Sequence, residues 1–238
     1  MSSDIPTPVH PYYPLALEVV GYLPNNLNTL ELLSIFITAC TGIFALTYLL
    51  VKRAQPKIPS SELCTIIWFV LCGCIHALFE GYYVYHFRNM PSKQDIFGQL
   101  WKEYSLSDSR YLSQDAFTVA METVTAVFWG PLSFMLVGMI MKAHPMRHPL
   151  QIVVSLGQFY GNVLYYAISL FDHYIHDWPY SRPEPAIFWG YFVLCNAFWI
   201  VIPLILLHSS LSAVTKAFKA LSGEKSEKYD DNKEGKAE

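Results

Sequence analysis

The sequence predicts an all-α integral membrane protein, built as a five-transmembrane-helix bundle. Hydrophobic residues make up 53% of the 238 residues and charged residues only 15%, whereas soluble domains are about a quarter charged. Continuous apolar runs of about 20 residues, the length that crosses a bilayer, contain only two of the 35 Asp, Glu, Lys and Arg residues: 32–51, 64–85, 116–141, 149–170 and 186–207. Such runs exclude a soluble, disordered or single-anchor protein. Their lack of alternation excludes a β-barrel.

The runs divide the chain into three parts. Residues 1–31 carry five prolines and no Lys or Arg, so we expect an N-terminal lumenal arm on the membrane surface. The missing basic start also argues against a cleaved signal peptide. Residues 32–211 form the transmembrane domain. Residues 212–238 alternate acidic and basic residues with almost no apolar residue after Leu221, which predicts a disordered cytosolic tail.

The distribution of basic residues predicts the orientation in the membrane. Eleven Lys and Arg residues fall on the side that contains the loops 52–63 and 142–148 and the tail, against five on the other side. The positive-inside rule therefore predicts a multi-pass protein with a lumenal N-terminus and a cytosolic C-terminus. Tyr82, Tyr83 and Tyr85 end the second run and are typical of an interfacial aromatic belt. The net charge of −3 gives no sign of nucleic-acid binding.

Three ionisable side chains lie inside the apolar runs: His76 and Glu80 in the second, and Glu122 in the third. Such groups are costly in a membrane and are therefore candidates for function. His76 and Glu80 are four residues apart, so they share one helix face and can form a hydrogen bond.

The depths of these groups favour one shared intramembrane ligand cavity. Counted from the middle of each run at 1.5 Å per residue, Glu80 and Glu122 both lie about 8 to 10 Å toward the outer side. His76 and Asn196 both fall near the bilayer centre. The alternative for polar residues such as these and Thr125 is a purely structural hydrogen bond between helices.

Metal and phosphate chemistry do not fit the pattern. A histidine-box iron site would need His144 and His148 to meet His173 and His176, but the predicted topology puts the two pairs on opposite sides. A zinc site at His76 would need a second imidazole at the same depth, and no HEXXH motif is present. The sequence also has no glycine-rich phosphate loop. We therefore expect no metal and no cofactor.

Acid–base chemistry in an apolar pocket remains. A His–Glu pair can deliver a proton while a second Glu removes one. The face of Trp199, three residues after Asn196, can stabilise a cation by about 2 kcal/mol where water is excluded. An acid, a base and a cation platform together suit a carbocation reaction on an apolar substrate, such as isomerisation of a double bond in a lipid.

At these residues the sequence resembles the emopamil-binding-protein family, which comprises 3-beta-hydroxysteroid Δ8–Δ7 isomerases of the EXPERA type. These are five-helix proteins of the endoplasmic reticulum membrane, in a wider group that includes the sigma-2 receptor. The resemblance runs from His10 to about Pro203. The motifs that carry it are Gly73–His76, Glu80–Tyr82, Leu100–Tyr104, Asp108–Tyr111, Met121–Ala126, Trp129–Pro131, Gln158–Gly161 and Asn196–Trp199.

The resemblance implies a role for each matched residue. His76 and Glu80 would donate the proton, and Glu122 would accept it or offset the cation. The residues expected to bind the substrate or stabilise the cation are Trp199, Asn196, Thr125, Tyr111 and Met121, with Thr125 and Asn196 also supporting Glu122. A second layer would consist of Asp108, Arg110 and Tyr104. Ser107 departs from the family, which usually has Gly before Asp-Ser-Arg-Tyr.

The implied activity is a sterol Δ8–Δ7 isomerase that uses no cofactor and moves a ring double bond in sterol biosynthesis. Its expected partners are the sterol substrate, cationic amphiphilic amine ligands, membrane lipid and a second copy in a homodimer. Two alternatives stay open: an isomerase that acts on another triterpenoid or meroterpenoid, and a non-catalytic sterol- or amine-binding protein that resembles the sigma-2 receptor. The complete acid–base set favours an enzyme.

Overall fold

The structure is a computed structural model that describes residues 10–234, with side chains through residue 222. The start of the predicted arm, residues 1–9, and the end of the tail, 235–238, lie outside the described residues. Every regular element within 10–234 is helical, which confirms the prediction of an all-α protein.

The described chain contains five long helices, one short α-helix and a separate 3-10 helical turn at Ser109–Leu112. The helices are α1 (Thr29–Ala54), α2 (Ser60–Ser92), the short α3 (Ile96–Tyr104), α4 (Ala116–Met141), α5 (Arg147–Ile175) and α6, which begins with the π-helical segment Ala186–Cys195 and continues as Asn196–Glu234. Each of the five predicted runs lies within one of the five long helices.

Four of these helices, α1, α2, α4 and α6, are long and apolar enough to cross a membrane. The remaining long helix, α5, is more polar, and its polar residues lie on a face that is turned inward. Polar side chains three or four residues apart are buried along that face: Gln151, Ser155, Gln158, Asn162, Tyr165 and Ser169. Among them, the Gln151 amide donates to the Leu206 carbonyl at 3.1 Å. These groups therefore face protein rather than lipid.

Local caps explain why α1 extends beyond the predicted run. The Asn28 side chain accepts a hydrogen bond from the Glu31 amide, and the Glu31 carboxylate accepts one from the Asn28 amide. This reciprocal capping box satisfies the free amides of the first turn. The helix therefore begins at Thr29 rather than at residue 32.

Glycine lets α2 and α4 approach closely beside the polar residues. A Cβ atom on Gly130 would lie 2.9 Å from the Ala77 backbone nitrogen, so a larger residue would push the helices apart. Both helices form π-helical turns here, at Ile75–Glu80 and Thr125–Trp129. Such turns are rare and occur frequently at functional sites.

A cap formed by residues 10–28, α3 and residues 105–113 covers one end of the bundle. Tyr12 is buried, and the Ser109 hydroxyl donates to the Tyr13 carbonyl at 2.5 Å. Tyr83 is fully buried against the ring of Trp101, so its predicted place in an interfacial aromatic belt is wrong. The cap supplies a protein surface where the sequence suggested lipid.

Residues 212–234 continue α6 in the structure, whereas the sequence predicts disorder from residue 212. Lys, Glu and Ala are abundant in this segment, and all three are good helix formers. Phe218 and Leu221 are exposed, so these two side chains do not anchor the segment to the bundle. Its cytosolic location stays a prediction.

Candidate active site

A cavity of about 600 Å³ lies among the five long helices and the cap. Most of its wall is apolar. The polar side chains that reach it are His76, Glu80, Glu103, Glu122, Thr125, Gln158, Asn162 and Asn196, together with the tyrosines Tyr104, Tyr111, Tyr165 and Tyr191. Most of the residues that the sequence singled out therefore converge on one space.

His76 is held on both sides of its ring. Its Nδ1 lies 2.7 Å from Oε2 of Glu80, and its Nε2 lies 3.1 Å from the side-chain nitrogen of Gln158. With the Gln158 amide donating, Nδ1 carries the proton of a neutral imidazole and donates to Glu80. The other amide atom, Oε1 of Gln158, is buried without a hydrogen-bond partner in the described part of the chain.

Because Oε1 of Gln158 has no partner within the described chain, the contact between Gln158 and His76 can take a second arrangement. If the amide turns over, its oxygen can accept from Nε2–H, which suits a doubly protonated imidazolium. Gln158 can thus complement His76 both before and after His76 gains a proton.

Thr125 joins the two carboxyl groups. Its Oγ1 contacts Oε2 of Glu80 and lies 2.9 Å from the Glu122 backbone carbonyl and 3.4 Å from the Glu122 carboxyl. A hydroxyl has one proton to donate and two lone pairs with which to accept. When Thr125 donates to the Glu122 carbonyl, its contact with Glu80 requires a proton on Glu80. The Thr125 hydroxyl can therefore pass protons between the carboxyl groups of Glu80 and Glu122.

Glu122 has a further partner in the cap. The Tyr111 hydroxyl donates to Oε1 of Glu122 at 2.6 Å, and both residues are buried. Glu80 and Glu122 thus face one cavity and are connected through Thr125. Tyr111, which the resemblance assigned to substrate binding, also orients the carboxyl of Glu122.

Aromatic rings also pack against the imidazole of His76. The ring centroid of Trp199 lies 4.8 Å from that of His76, and Trp68 lies 5.0 Å from Trp199. Trp199 and Trp68 both line the cavity. A cation bound next to His76 would therefore meet an indole face.

Asn196 has a different partner from the one that the sequence predicts. Its amide donates to the Tyr104 hydroxyl at 3.0 Å and to the Phe192 carbonyl at 2.8 Å. Among the described residues Asn196 makes no hydrogen bond to Glu122. Its partner Tyr104 packs on Tyr111, with 5.5 Å between the ring centroids, and Tyr111 bonds Glu122. The expectation that Asn196 supports Glu122 directly is wrong.

Two further residues lie on the cavity wall. Tyr104 lines the cavity itself instead of standing in a second layer, which corrects the prediction for this residue. Met121 also lines it, and a Cβ atom on Gly161 would lie 3.1 Å from the Met121 sulfur. The helix α5 therefore leaves room for the Met121 side chain at this point.

Asp108 and Arg110 form an ion pair behind the wall. Both side chains are fully buried, and Nη2 of Arg110 lies 2.6 Å from Oδ2 of Asp108. Burial opposes the charge on Arg110, but the Asp108 carboxylate holds the pKa of the guanidinium above its ordinary value. The guanidinium stacks on Tyr165 at 4.8 Å, and Tyr165 lines the cavity. Ser107 has no positive φ, so the position does not require glycine.

Five polar cavity residues received no role from the sequence: Glu103, Gln158, Asn162, Tyr165 and Tyr191. Gln158 is a polar residue inside an apolar run and carried a usable signal. Glu103 lies outside the runs, in a segment that the sequence placed in a loop. Tyr191 is one of many tyrosines, and nothing in its spacing distinguishes it.

Similarity to known proteins shows the family of this chain. The profile of the EXPERA family (EXPanded EBP superfamily) matches residues 96–210. A 3-beta-hydroxysteroid-Delta(8),Delta(7)-isomerase of Mus musculus is 39% identical over 90% of this chain and 92% of its own length. The protein of the same name from Cavia porcellus is 34% identical over 93% of this chain and 96% of its own length. An isomeliandiol synthase of Ailanthus altissima is 33% identical over 59% of this chain and 65% of its own length. The chain therefore belongs to the EXPERA family, the expanded EBP superfamily.

Proposed function

We propose that this protein is a membrane-embedded sterol Δ8–Δ7 isomerase that needs no cofactor. Two findings support the proposal. The mammalian relatives that carry this name match about nine tenths of the chain. The apolar cavity also brings one imidazole and two carboxyl groups onto a common space, as protonation and deprotonation of an apolar substrate require.

The first step adds a proton to the ring double bond. The acid is the His76–Glu80 pair, whose members are bonded at 2.7 Å. The proton goes to C9 of the Δ8-sterol, and the electron pair of the double bond forms the new C9–H bond. The positive charge then stands on C8, within a cavity walled by Trp199 and Trp68. An aromatic face in a dry site stabilises a cation by about 2 kcal/mol.

The second step removes a proton from C7. Glu122 accepts it, and the electron pair of the C7–H bond forms the Δ7 double bond, which neutralises C8. The Tyr111 hydroxyl, 2.6 Å from Glu122, fixes the carboxylate for this role. Thr125 then offers the route by which the proton returns to Glu80, since its hydroxyl contacts both residues. One proton enters the sterol and one leaves, so no other reactant is needed.

The same site accounts for the proposed binding of cationic amphiphilic amines. An ammonium group in the cavity would occupy the position of the cationic intermediate, beside the Trp199 ring and between two carboxyl groups. Its alkyl part would fill the apolar remainder of the cavity. Such ligands would therefore compete with the sterol.

The proposal includes the placement in the membrane. All five long helices cross the bilayer of the endoplasmic reticulum, with α5 shielded along its polar face by α6. The N-terminal arm and the cap are lumenal, and the C-terminus is cytosolic, as the distribution of basic residues predicts. Residues 32–211 are then the isomerase domain. A homodimer stays a prediction from the resemblance.

The observation that carries the proposal is the continuous chain of contacts from Gln158 through His76, Glu80 and Thr125 to Glu122. The test is to give purified protein a Δ8-sterol such as zymosterol in deuterated water. A Δ7 product with one ring deuterium is the expected result. Sterol binding without exchange or product would instead identify a binding protein.

A second candidate keeps the chemistry and changes the substrate. The isomeliandiol synthase relative favours a related triterpenoid as the alternative. Offering a triterpenoid and zymosterol in competition would show which is converted with the higher kcat/KM.

A further inference from the structure

One carboxyl group at the cavity has no part in the proposed acid–base steps. Glu103 is buried at the end of α3, in the cap, and lines the cavity. Its Oε1 accepts a hydrogen bond from the Tyr191 hydroxyl at 3.1 Å. Among residues 10–222, whose side chains the structure describes, no other hydrogen bond to this carboxyl occurs, so its second oxygen is available to a guest.

Glu103 and Tyr191 stand at the opposite end of the cavity from His76. Tyr191 precedes Trp199 by eight residues on α6, which corresponds to at most about 12 Å along the helix. Trp199 contacts His76, whereas Tyr191 contacts the cap. Judged by their positions along α2 and α4, the acid–base residues Glu80 and Glu122 lie between the level of His76 and the level of Glu103 and Tyr191.

The chemistry of the two ends differs sharply. Beyond His76 the wall consists of apolar side chains, among them Trp68, Leu71 and Ile202. At the cap end it offers a carboxylate acceptor and a phenol that can both donate and accept. A guest with one hydroxyl and a long hydrocarbon body matches this polarity in only one orientation.

We infer that Glu103 and Tyr191 form a hydroxyl subsite that anchors the 3β-hydroxyl of the substrate, an inference that rests on the proposed function. The hydroxyl donates to the free oxygen of Glu103. The hydroxyl is carried by the first ring of a sterol, and the reacting carbons belong to the next ring. Anchoring the hydroxyl at the cap therefore places those carbons deeper, at the level of the acid and the base. The alkyl side chain then extends past Trp199 into the apolar end.

The subsite also fits the way a sterol lies in a bilayer. A sterol keeps its hydroxyl at the membrane surface and its hydrocarbon in the interior. The cap covers the end of the bundle that the charge distribution predicts to be lumenal. A sterol from the adjacent leaflet could thus enter the cavity without turning over.

The test measures direct binding of two tritiated ligands, zymosterol and its 3-O-methyl ether, to the full-length protein. The ether cannot donate to Glu103. We expect the wild type to prefer the hydroxyl form by about 10- to 150-fold, the range of a hydrogen bond to a charged acceptor. Glu103→Met, of similar size, should reduce this preference to about threefold or less. Glu103→Gln should keep a smaller preference of about 2- to 13-fold, because an amide can still form a neutral hydrogen bond with the hydroxyl.

Tyrosine variants of α6 and α5 provide the second test and its control. Tyr191→Phe leaves the carboxyl in place but removes the group that orients it, so the hydroxyl preference should fall. Tyr166→Phe also removes a tyrosine hydroxyl that contacts α6, at the Val193 carbonyl, but this residue does not line the cavity. The Tyr166→Phe variant should therefore prefer zymosterol over its methyl ether as strongly as the wild type does.

Each other result has a defined meaning. An unchanged preference in Glu103→Met with native thermal stability, or in Tyr191→Phe, overturns the subsite. So does a wild type with no preference. Loss of N,N-dimethyldodecylamine binding in Glu103→Met without loss of hydroxyl preference would identify an ammonium site instead. Because the readout is binding, absence of turnover in the wild type would contradict the isomerase proposal while leaving the hydroxyl test decisive.

Discussion

Thr125→Val is the substitution that most sharply separates a proton network from a set of neighbouring polar groups. Valine has nearly the shape of threonine, so the exchange leaves no large void. It removes the hydroxyl that contacts Glu80 and lies 3.4 Å from the Glu122 carboxyl. A hydrogen bond to a charged group contributes about 1.5 to 3 kcal/mol. At 1.36 kcal/mol for each factor of ten, kcat should fall about 10- to 150-fold.

Thr123→Val is the matched control on the same helix. The Thr123 hydroxyl donates to the Val119 carbonyl at 2.6 Å, as the Thr125 hydroxyl can to the Glu122 carbonyl. Thr123 does not line the cavity. Both variants lose a contact to the helix backbone, and only Thr125→Val loses the contact to Glu80.

The assay follows conversion of zymosterol by the purified variants, with thermal stability and amine binding as measures of folding. Thr123→Val should have wild-type kcat. Near-normal turnover in Thr125→Val, or equal losses in the two variants, would refute the assignment of Thr125 to a proton route.

Three further predictions address the cation platform, the ion pair and the cap. Trp199→Phe should weaken binding of ammonium ligands more than of neutral sterols, since the indole face attracts a cation most strongly; equal losses in a binding assay would contradict this. Asp108→Asn leaves Arg110 buried without its partner and should lower the free energy of unfolding by about 3 to 5 kcal/mol, and an unchanged denaturant midpoint would count against it. Burial lowers the pKa of Lys102 to about 8, below about 10.4 in an unfolded chain. The unfolded state then binds more protons between these values, so wild-type stability should rise with pH relative to Lys102→Met across that window; a constant difference in melting temperature would disprove it.

The positions of the long helices were predictable because the bilayer imposes length and composition on each span. All five runs fall within helices, and the deviations at their ends have local causes such as the capping box at Asn28. The cap was not predictable in the same way. Tyr83 looked like an interfacial residue, yet Trp101 of α3 covers it. The sequence did not reveal this contact, because packing against a short amphipathic helix leaves no periodic signal in the second run.

The sequence predicted the depth of the site residues in the membrane, but not the direction in which each side chain points from its helix. Counting residues placed Glu80 and Glu122 at one level, and the structure joins them through Thr125. The same counting placed Asn196 level with His76, but the two do not meet, since Asn196 bonds Tyr104. Depth alone does not say which way a side chain points. The π-helical turns at Ile75–Glu80, Thr125–Trp129 and Ala186–Cys195 rotate side chains by amounts that an α-helical count does not include.

Turnover by Glu122→Gln in deuterated water tests the central claim most directly, because glutamine keeps the size and polarity of the side chain but cannot accept the proton. The variant should bind zymosterol, keep its thermal stability and lose at least about 100-fold in kcat, the lower range for a general base. Conversion to the Δ7-sterol at a near-normal rate would contradict the proposal that Glu122 removes the C7 proton.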